Sequence, residues 1–174
     1  CSIALQKYLL ERRIPIDIAN RYCKEVRYVM GENIYYAIGF FNNKNGWELR
    51  SKNYKGCTSK HITTIIETDD SSDYMVFEGF FDFLSFKAIY PHVEGNAIIF
   101  NSVCNLLMGL KELESLGATD IYVYGDTDVE GERVFERIKD KYGDRAVDMS
   151  YFYKQNNCKD LNEYLVKCNP KKLL

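Results

Sequence analysis

The sequence predicts an α/β fold: a parallel sheet flanked by helices, preceded by a small α+β unit. Three observations carry that expectation. From Tyr74 onward, short apolar runs alternate with helix-length amphipathic segments, the pattern of parallel strands joined by crossover helices. Before residue 67 the apolar runs read as short antiparallel strands separated by turn residues. Charge divides at nearly the same place, with a net +6 over residues 1–60 and −8 over residues 61–174. A basic subdomain over residues 1–66 and a second domain over residues 70–168 are expected, with the polar stretch ETDDSSD at 67–73 as linker.

In the front part, residues 4–13 and 15–24 read as two short helices. Leu5, Leu9 and Leu10 recur at helical spacing, as do Ile18 and Tyr22, and Pro15 suits a first helical turn. Residues 26–30, 35–41 and 47–50 read as short antiparallel strands, broken by Gly31-Glu32-Asn33 and by the turn-rich 42–46. Lys44, Arg50, Lys52, Lys55 and Lys60 are interleaved with Trp47 and Tyr54. Cations that hold phosphates, beside rings on which bases stack, suit single-stranded nucleic acid; a solvated hairpin has the same composition.

In the back part, strands are expected at 74–78, 96–100, 120–125 and 146–151, and helices at 80–90, 103–116, 130–142 and 160–168. With 46% hydrophobic residues, 14 Tyr and 10 Phe, the chain can bury a sizeable core. No apolar run approaches the ~20 residues of a membrane span, and a cytoplasmic location is expected. The six cysteines form no CxxC pair and have no zinc-like spacing with histidine. They read as reduced thiols, with Cys23 and Cys104 as small core residues. His61 and His92 read as surface or boundary residues. The chain opens on Cys1, which suggests a segment of a longer protein.

Two strand ends carry the chemistry. The run at 121–124 breaks into Gly125-Asp126-Thr127-Asp128, followed by Gly131 and a charged helix. Residues i and i+2 of an extended chain point to one side, so Asp126 and Asp128 can converge on one ion. An acidic turn capping the next helix would look the same. Upstream, the run at 74–77 ends in Glu78-Gly79, with Asp82 in the first turn of a phenylalanine-rich helix. Open α/β sheets collect chemistry at the carboxyl ends of their strands, which favours a shared site over separate surface acids. Clustered carboxylates repel one another and suit a hard cation such as Mg²⁺ or Mn²⁺. Like charges also raise the pKa of one carboxyl, which suits Glu78 for proton transfer.

These motifs resemble the Toprim domain shared by bacterial primases, type IA and II topoisomerases and some nucleases. Glu78-Gly79-Phe-Phe-Asp82 resembles the primase form of the first motif, EGxxD. Asp126-Thr-Asp128-Val-Glu-Gly131 resembles DxDxxG, and Glu132 extends the likeness to the topoisomerase form. Lys159-Asp160-Leu-Asn162 is similar to the primase KDxD, with Asn162 in place of the last Asp, which puts one outer metal ligand in question. The resemblance spans about residues 70–168. Around Ile38-Gly39-Phe40, Leu49-Arg50 and Tyr54-Lys55-Gly56 the front part is more loosely similar to the segment that precedes Toprim in primases, most nearly in the primase-like proteins of mobile elements.

The resemblance implies a Toprim-like, Rossmann-like sheet and Mg²⁺ (or Mn²⁺) held by Glu78, Asp82, Asp126, Asp128 and Asp160. Glu78, Asp126 and Asp128 would act in catalysis, Lys159 would bind nucleotide, and Arg50, Lys52, Lys55 and Lys60 would bind nucleic acid. The implied reaction is primer synthesis on a single-stranded DNA template from nucleoside triphosphates, with a replicative helicase as a further partner. A Toprim nuclease and a non-catalytic nucleic-acid-binding module remain alternatives. A phosphatase of the haloacid dehalogenase type has a similar DxD[TV], but usually on the first strand of its sheet, whereas two strands precede it here.

Overall fold

The computed structural model describes residues 2–168. Two short helices, α1 (Ile3–Glu11) and α2 (Ile16–Tyr22), lead into a four-stranded antiparallel meander. Its strands are β1 (Cys23–Met30), β2 (Asn33–Phe41), β3 (Trp47–Ser51) and β4 (Tyr54–Cys57), in that spatial order. The expected front unit is present with one strand more than the three predicted. β1 also begins at Cys23, where the second helix was expected to continue to residue 24. Lys24 pairs with Gly39, so that end of β1 belongs to the sheet.

The second sheet has the order β5-β7-β6-β8-β9, formed by β5 (Thr63–Ile65), β6 (Tyr74–Phe77), β7 (Asn96–Ile99), β8 (Ile121–Tyr124) and β9 (Ala146–Asp148). Strands β7, β6, β8 and β9 are parallel, as their helical crossovers require. The edge strand β5 runs antiparallel to β7 and was not anticipated; three residues leave too short a pattern to read. The predicted helices appear as α3 (Phe80–Ile89), α4 (Leu106–Ser115), α5 (Val129–Tyr142) and α7 (Leu161–Cys168). The last strand was expected to reach residue 151 but stops at Asp148. Asp148 Oδ1 accepts from the Ser150 amide at 2.7 Å, turning the chain into the short helix α6 (Tyr151–Lys154).

All ten residues of α3 are buried, which accounts for its richness in phenylalanine. Phe80 stacks on Phe40 of β2, Phe83 meets Tyr22 of α2 edge-on, and Phe81 tilts against Tyr8 of α1. Phe86 faces the sheet through Phe77 and Tyr124. One hydrophobic cluster therefore runs from the front helices through α3 to α7. A second cluster fills the opposite face of the parallel sheet under α4 and α5. Within the stretch read as linker, Glu67 is 8% exposed at its side chain and pairs with the more deeply buried Lys87 of α3. It also accepts from the Tyr22 hydroxyl and, at 3.0 Å, from the Gly95 amide.

Cys23 is buried as expected, whereas Cys104 is exposed in a 3-10 turn ahead of α4. His61 is half-buried and His92 exposed. No helix among the described residues is long and apolar enough to cross a membrane.

Candidate metal and nucleotide site

The strand order places three carboxyl ends side by side: β7 delivers Asn101, β6 delivers Glu78 and β8 delivers Asp126. From β6, the next strand in sequence lies on one side and β8 on the other, so the crevice between β6 and β8 is the topological switch point of the sheet. A cavity of about 200 Å³ opens there, lined by Glu78, Asp82, Asp126, Asp160 and Lys159 on the sheet side. Arg12, Arg50 and Lys55 of the front unit line the same cavity. Arg50 and Lys55 are direct cross-strand partners on β3 and β4, which is why both reach it.

The DxD loop is held by local geometry. Asp128 caps α5, its Oδ1 accepting from the amides of Glu130 and Gly131 at 3.1 Å each. Those amides, that of Gly131 above all, hold its carboxyl below the usual value. A Cβ on Gly131 would lie 1.9 Å from the Asp126 carbonyl oxygen, so only glycine lets the helix begin this close to the loop. The Thr127 amide donates to the Lys159 carbonyl at 2.7 Å, and the Tyr153 hydroxyl donates to the Gly125 carbonyl. Through Thr127 the loop carries Lys159 with it. Lys159 Nζ lies 3.2 Å from Asp126 Oδ2 and 3.5 Å from Asp128 Oδ2. These carboxylates raise its pKa, Asp126 most.

The remaining acids are crowded and dry. Burial, then the charges of Asp126 and Asp128, pushes Glu78 up to about 7. Its Oε2 is buried without a partner. Burial, then Asp160, raises Asp126. Asp82 is driven up by burial and then by Asp160, and its Oδ1 accepts from the Asn162 amide at 3.2 Å. Asp160 caps α7 by accepting from the Glu163 amide at 2.6 Å.

Among the described residues no three acidic, His or Cys groups form a ready-made metal cage. The donor set nevertheless fits a divalent cation: hard carboxylate oxygens whose pKa values are raised by burial and then by one another's charge, one of them orphaned, and an ammonium already bridging Asp126 and Asp128. Of the expected metal ligands, Glu78, Asp82, Asp126 and Asp160 line the cavity, while Asp128 flanks it through Lys159. Asn162, the departure from KDxD, is fully buried away from it. Its Nδ2 donates to the Arg12 carbonyl at 3.0 Å and to Ser85 Oγ at 2.8 Å. Of the expected nucleic-acid residues, Arg50 and Lys55 reach the cavity; Lys52 is exposed and pairs with Glu11, and Lys60 is exposed.

Sequence reasoning missed Arg12 and Asn101. Arg12 lies at the end of α1, its guanidinium over the Phe81 ring at 5.2 Å, and its Nε is buried and unpartnered. No motif announces it. Asn101 follows a fully buried strand, and a polar residue at that break was the only available signal.

A family model described as Toprim-like matches residues 75–165. The chain belongs to the Toprim-like family. A second family model, "Domain of unknown function (DUF8464)", matches residues 1–59. No curated protein matches the Toprim-like chain. Among solved structures it is similar to the primase fragment of the bacteriophage T7 primase-helicase protein, with a TM-score of 0.62 and 13% identity. That likeness covers 95% of this chain and 71% of the other, and shows a shared fold.

Proposed function

We propose that this Toprim-like chain is the core of a primase-type nucleotidyltransferase, joining nucleotides on a single-stranded DNA template with Mg²⁺ or Mn²⁺. The observation that carries this reading is one cavity in which Arg12, Arg50 and Lys55 face Glu78, Asp126 and Asp160. A nuclease needs the acids; a polymerising enzyme also needs cations that hold a triphosphate opposite them.

Toprim domains generally bind Mg²⁺, and here Glu78 and Asp126, with Asp160 on the same wall, would hold it. The ion would neutralise phosphate charge and polarise the attacked phosphorus. Arg12 and Arg50 bind phosphate oxygens from the opposite wall; Arg50 is partly desolvated, which strengthens its charge–charge contacts. Lys159, tied to the DxD loop through Thr127, lies where its ammonium would meet a phosphate bound in the cavity. Glu78, raised by burial and by neighbouring carboxylates to about 7 in the metal-free chain, is the carboxyl of this site suited to proton transfer. Lys55 and the exposed Lys52 and Lys60 extend the positive surface outward for the template.

The test offers the protein single-stranded template, nucleoside triphosphates and Mn²⁺, and separately labelled single strands alone. Synthesis lost in Glu78→Gln supports the proposal. Cleavage without synthesis transfers the site to a nuclease, and oligonucleotide binding with neither activity leaves a binding module.

A further inference from the structure

Asn101 is the cavity residue that the carboxylate chemistry does not use. It is 9% exposed, and its backbone is left-handed at φ 63°, a conformation Asn adopts more readily than most side chains. Its Nδ2 donates to the His61 carbonyl at 3.0 Å and to Thr63 Oγ1 at 3.1 Å. A carbonyl only accepts, so the His61 contact fixes which end of the amide is nitrogen. Oδ1 is thereby left as a buried acceptor without a partner.

That orphan is not isolated. Five buried side-chain polar atoms among the described residues lack a partner, and three of them belong to residues lining this cavity: Arg12 Nε, Glu78 Oε2 and Asn101 Oδ1. Buried polar groups in folded proteins are overwhelmingly paired, so such a concentration marks a place completed by a ligand. The ligand must bring negative charge to Arg12, Arg50 and Lys55 and a neutral hydrogen-bond donor to Asn101. The phosphodiester backbone of DNA has no such donor. A nucleotide has hydroxyls on the sugar, between its phosphates and its base.

We propose that Asn101 Oδ1 accepts a hydrogen bond from a sugar hydroxyl of a nucleotide bound in this cavity and so determines which sugar is preferred. This rests on the nucleotidyltransferase reading above. The shared chemistry is a ribose hydroxyl; the 2′ and 3′ groups are separated by experiment.

Titration calorimetry with Mn²⁺ compares ATP, 2′-deoxyATP and 3′-deoxyATP on the parent chain and on Asn101→Gly, a residue that suits φ 63°. The parent is expected to bind ATP more tightly than one of the two analogues by roughly 3- to 12-fold, the reach of one neutral hydrogen bond. Asn101→Gly should weaken ATP by a similar factor and erase the difference. Equal binding of all three nucleotides by the parent overturns the proposal. So does an Asn101→Gly chain that weakens all three alike, or that weakens Mn²⁺ binding without nucleotide, since the donor would then be metal-bound water. If the glycine variant fails to melt cooperatively, Asn101→Asp replaces it; that variant keeps an acceptor oxygen, and loss of discrimination in it counts against the proposal. A parent that binds no nucleotide at all removes the nucleotidyltransferase reading itself, a different outcome from intact binding without discrimination.

Discussion

At the scale of single residues, Lys159 and Glu78 show two ways in which one crowded site manages its charge. Lys159 bridges Asp126 and Asp128, its ammonium 3.2 Å and 3.5 Å from their carboxylates. Among the described residues Glu78 has no ion-pair partner at this distance, and burial with the charges of Asp126 and Asp128 raises its carboxyl. Its folded value of about 7 lies above the ordinary 4.5, so folding takes up a proton across that window. Stability of the metal-free protein therefore falls as pH rises from about 4.5 to 7, and below the window the penalty is absent. Burial also raises Asp82 and Asp126, which steepens the same slope. Allowing for partial solvent screening at Glu78, its share is about 1–2 kcal/mol, or roughly 3–6 °C in Tm. Thermal melts of parent and Glu78→Gln at pH 5 and pH 8 check this. The parent should lose stability between them and the variant should lose less; parallel curves would show that Glu78 ionises freely.

At the scale of elements, Asn162 ties three helices together. From the first turn of α7 its amide reaches the carbonyl ending α1 and a serine of α3, while its backbone N–H serves Asp82 of α3. Asn162→Asp would bring the sequence closer to KDxD, yet a carboxylate has no hydrogens for Arg12 and Ser85. It would also place a second buried charge beside Asp82. The expected cost is about 3 kcal/mol, or roughly 6–12 °C in Tm. A variant that melts with the parent and binds Mn²⁺ more tightly would return this position to the metal site. The comparison shows what the sequence could say. Glu78 and Asp126 were legible because strand ends of a parallel sheet converge by topology, whatever the loops do; Asp82 was legible from the first turn of the helix after β6, and Asp160 only through the likeness of Lys159-Asp160 to the primase motif. Asn162 was legible as a departure from a motif but not as a junction, because its partners lie 77 and 150 residues away. Strand β5 and helix α6, three and four residues long, are shorter than the periodicities that reveal strands and helices.

At the scale of the whole molecule, the cavity has one wall from each part of the chain, and the packing beneath it explains how the walls keep their spacing. The phenylalanines of α3 sit against Tyr8, Tyr22 and Phe40 of the front unit. Beside them the buried Glu67–Lys87 pair accepts the Tyr22 hydroxyl. A buried pair of this kind adds little net stability, but removing one partner strands the other charge. Residues 70–168 expressed alone would lose Glu67 and leave Lys87 unpaired. They would also expose the faces of Phe80, Phe81 and Phe83 that now meet the front unit. Each large apolar side chain stripped of its cover costs about 1.5–3 kcal/mol, and three of them approach the whole stability of an ordinary domain. The isolated segment is therefore expected to aggregate or to bind a hydrophobic dye, and coexpression with residues 1–69 should restore a soluble complex. A monomeric 70–168 segment with a sharp melt and bound Mn²⁺ would show instead that the parallel sheet carries its own stability and that the front unit contributes only its cations.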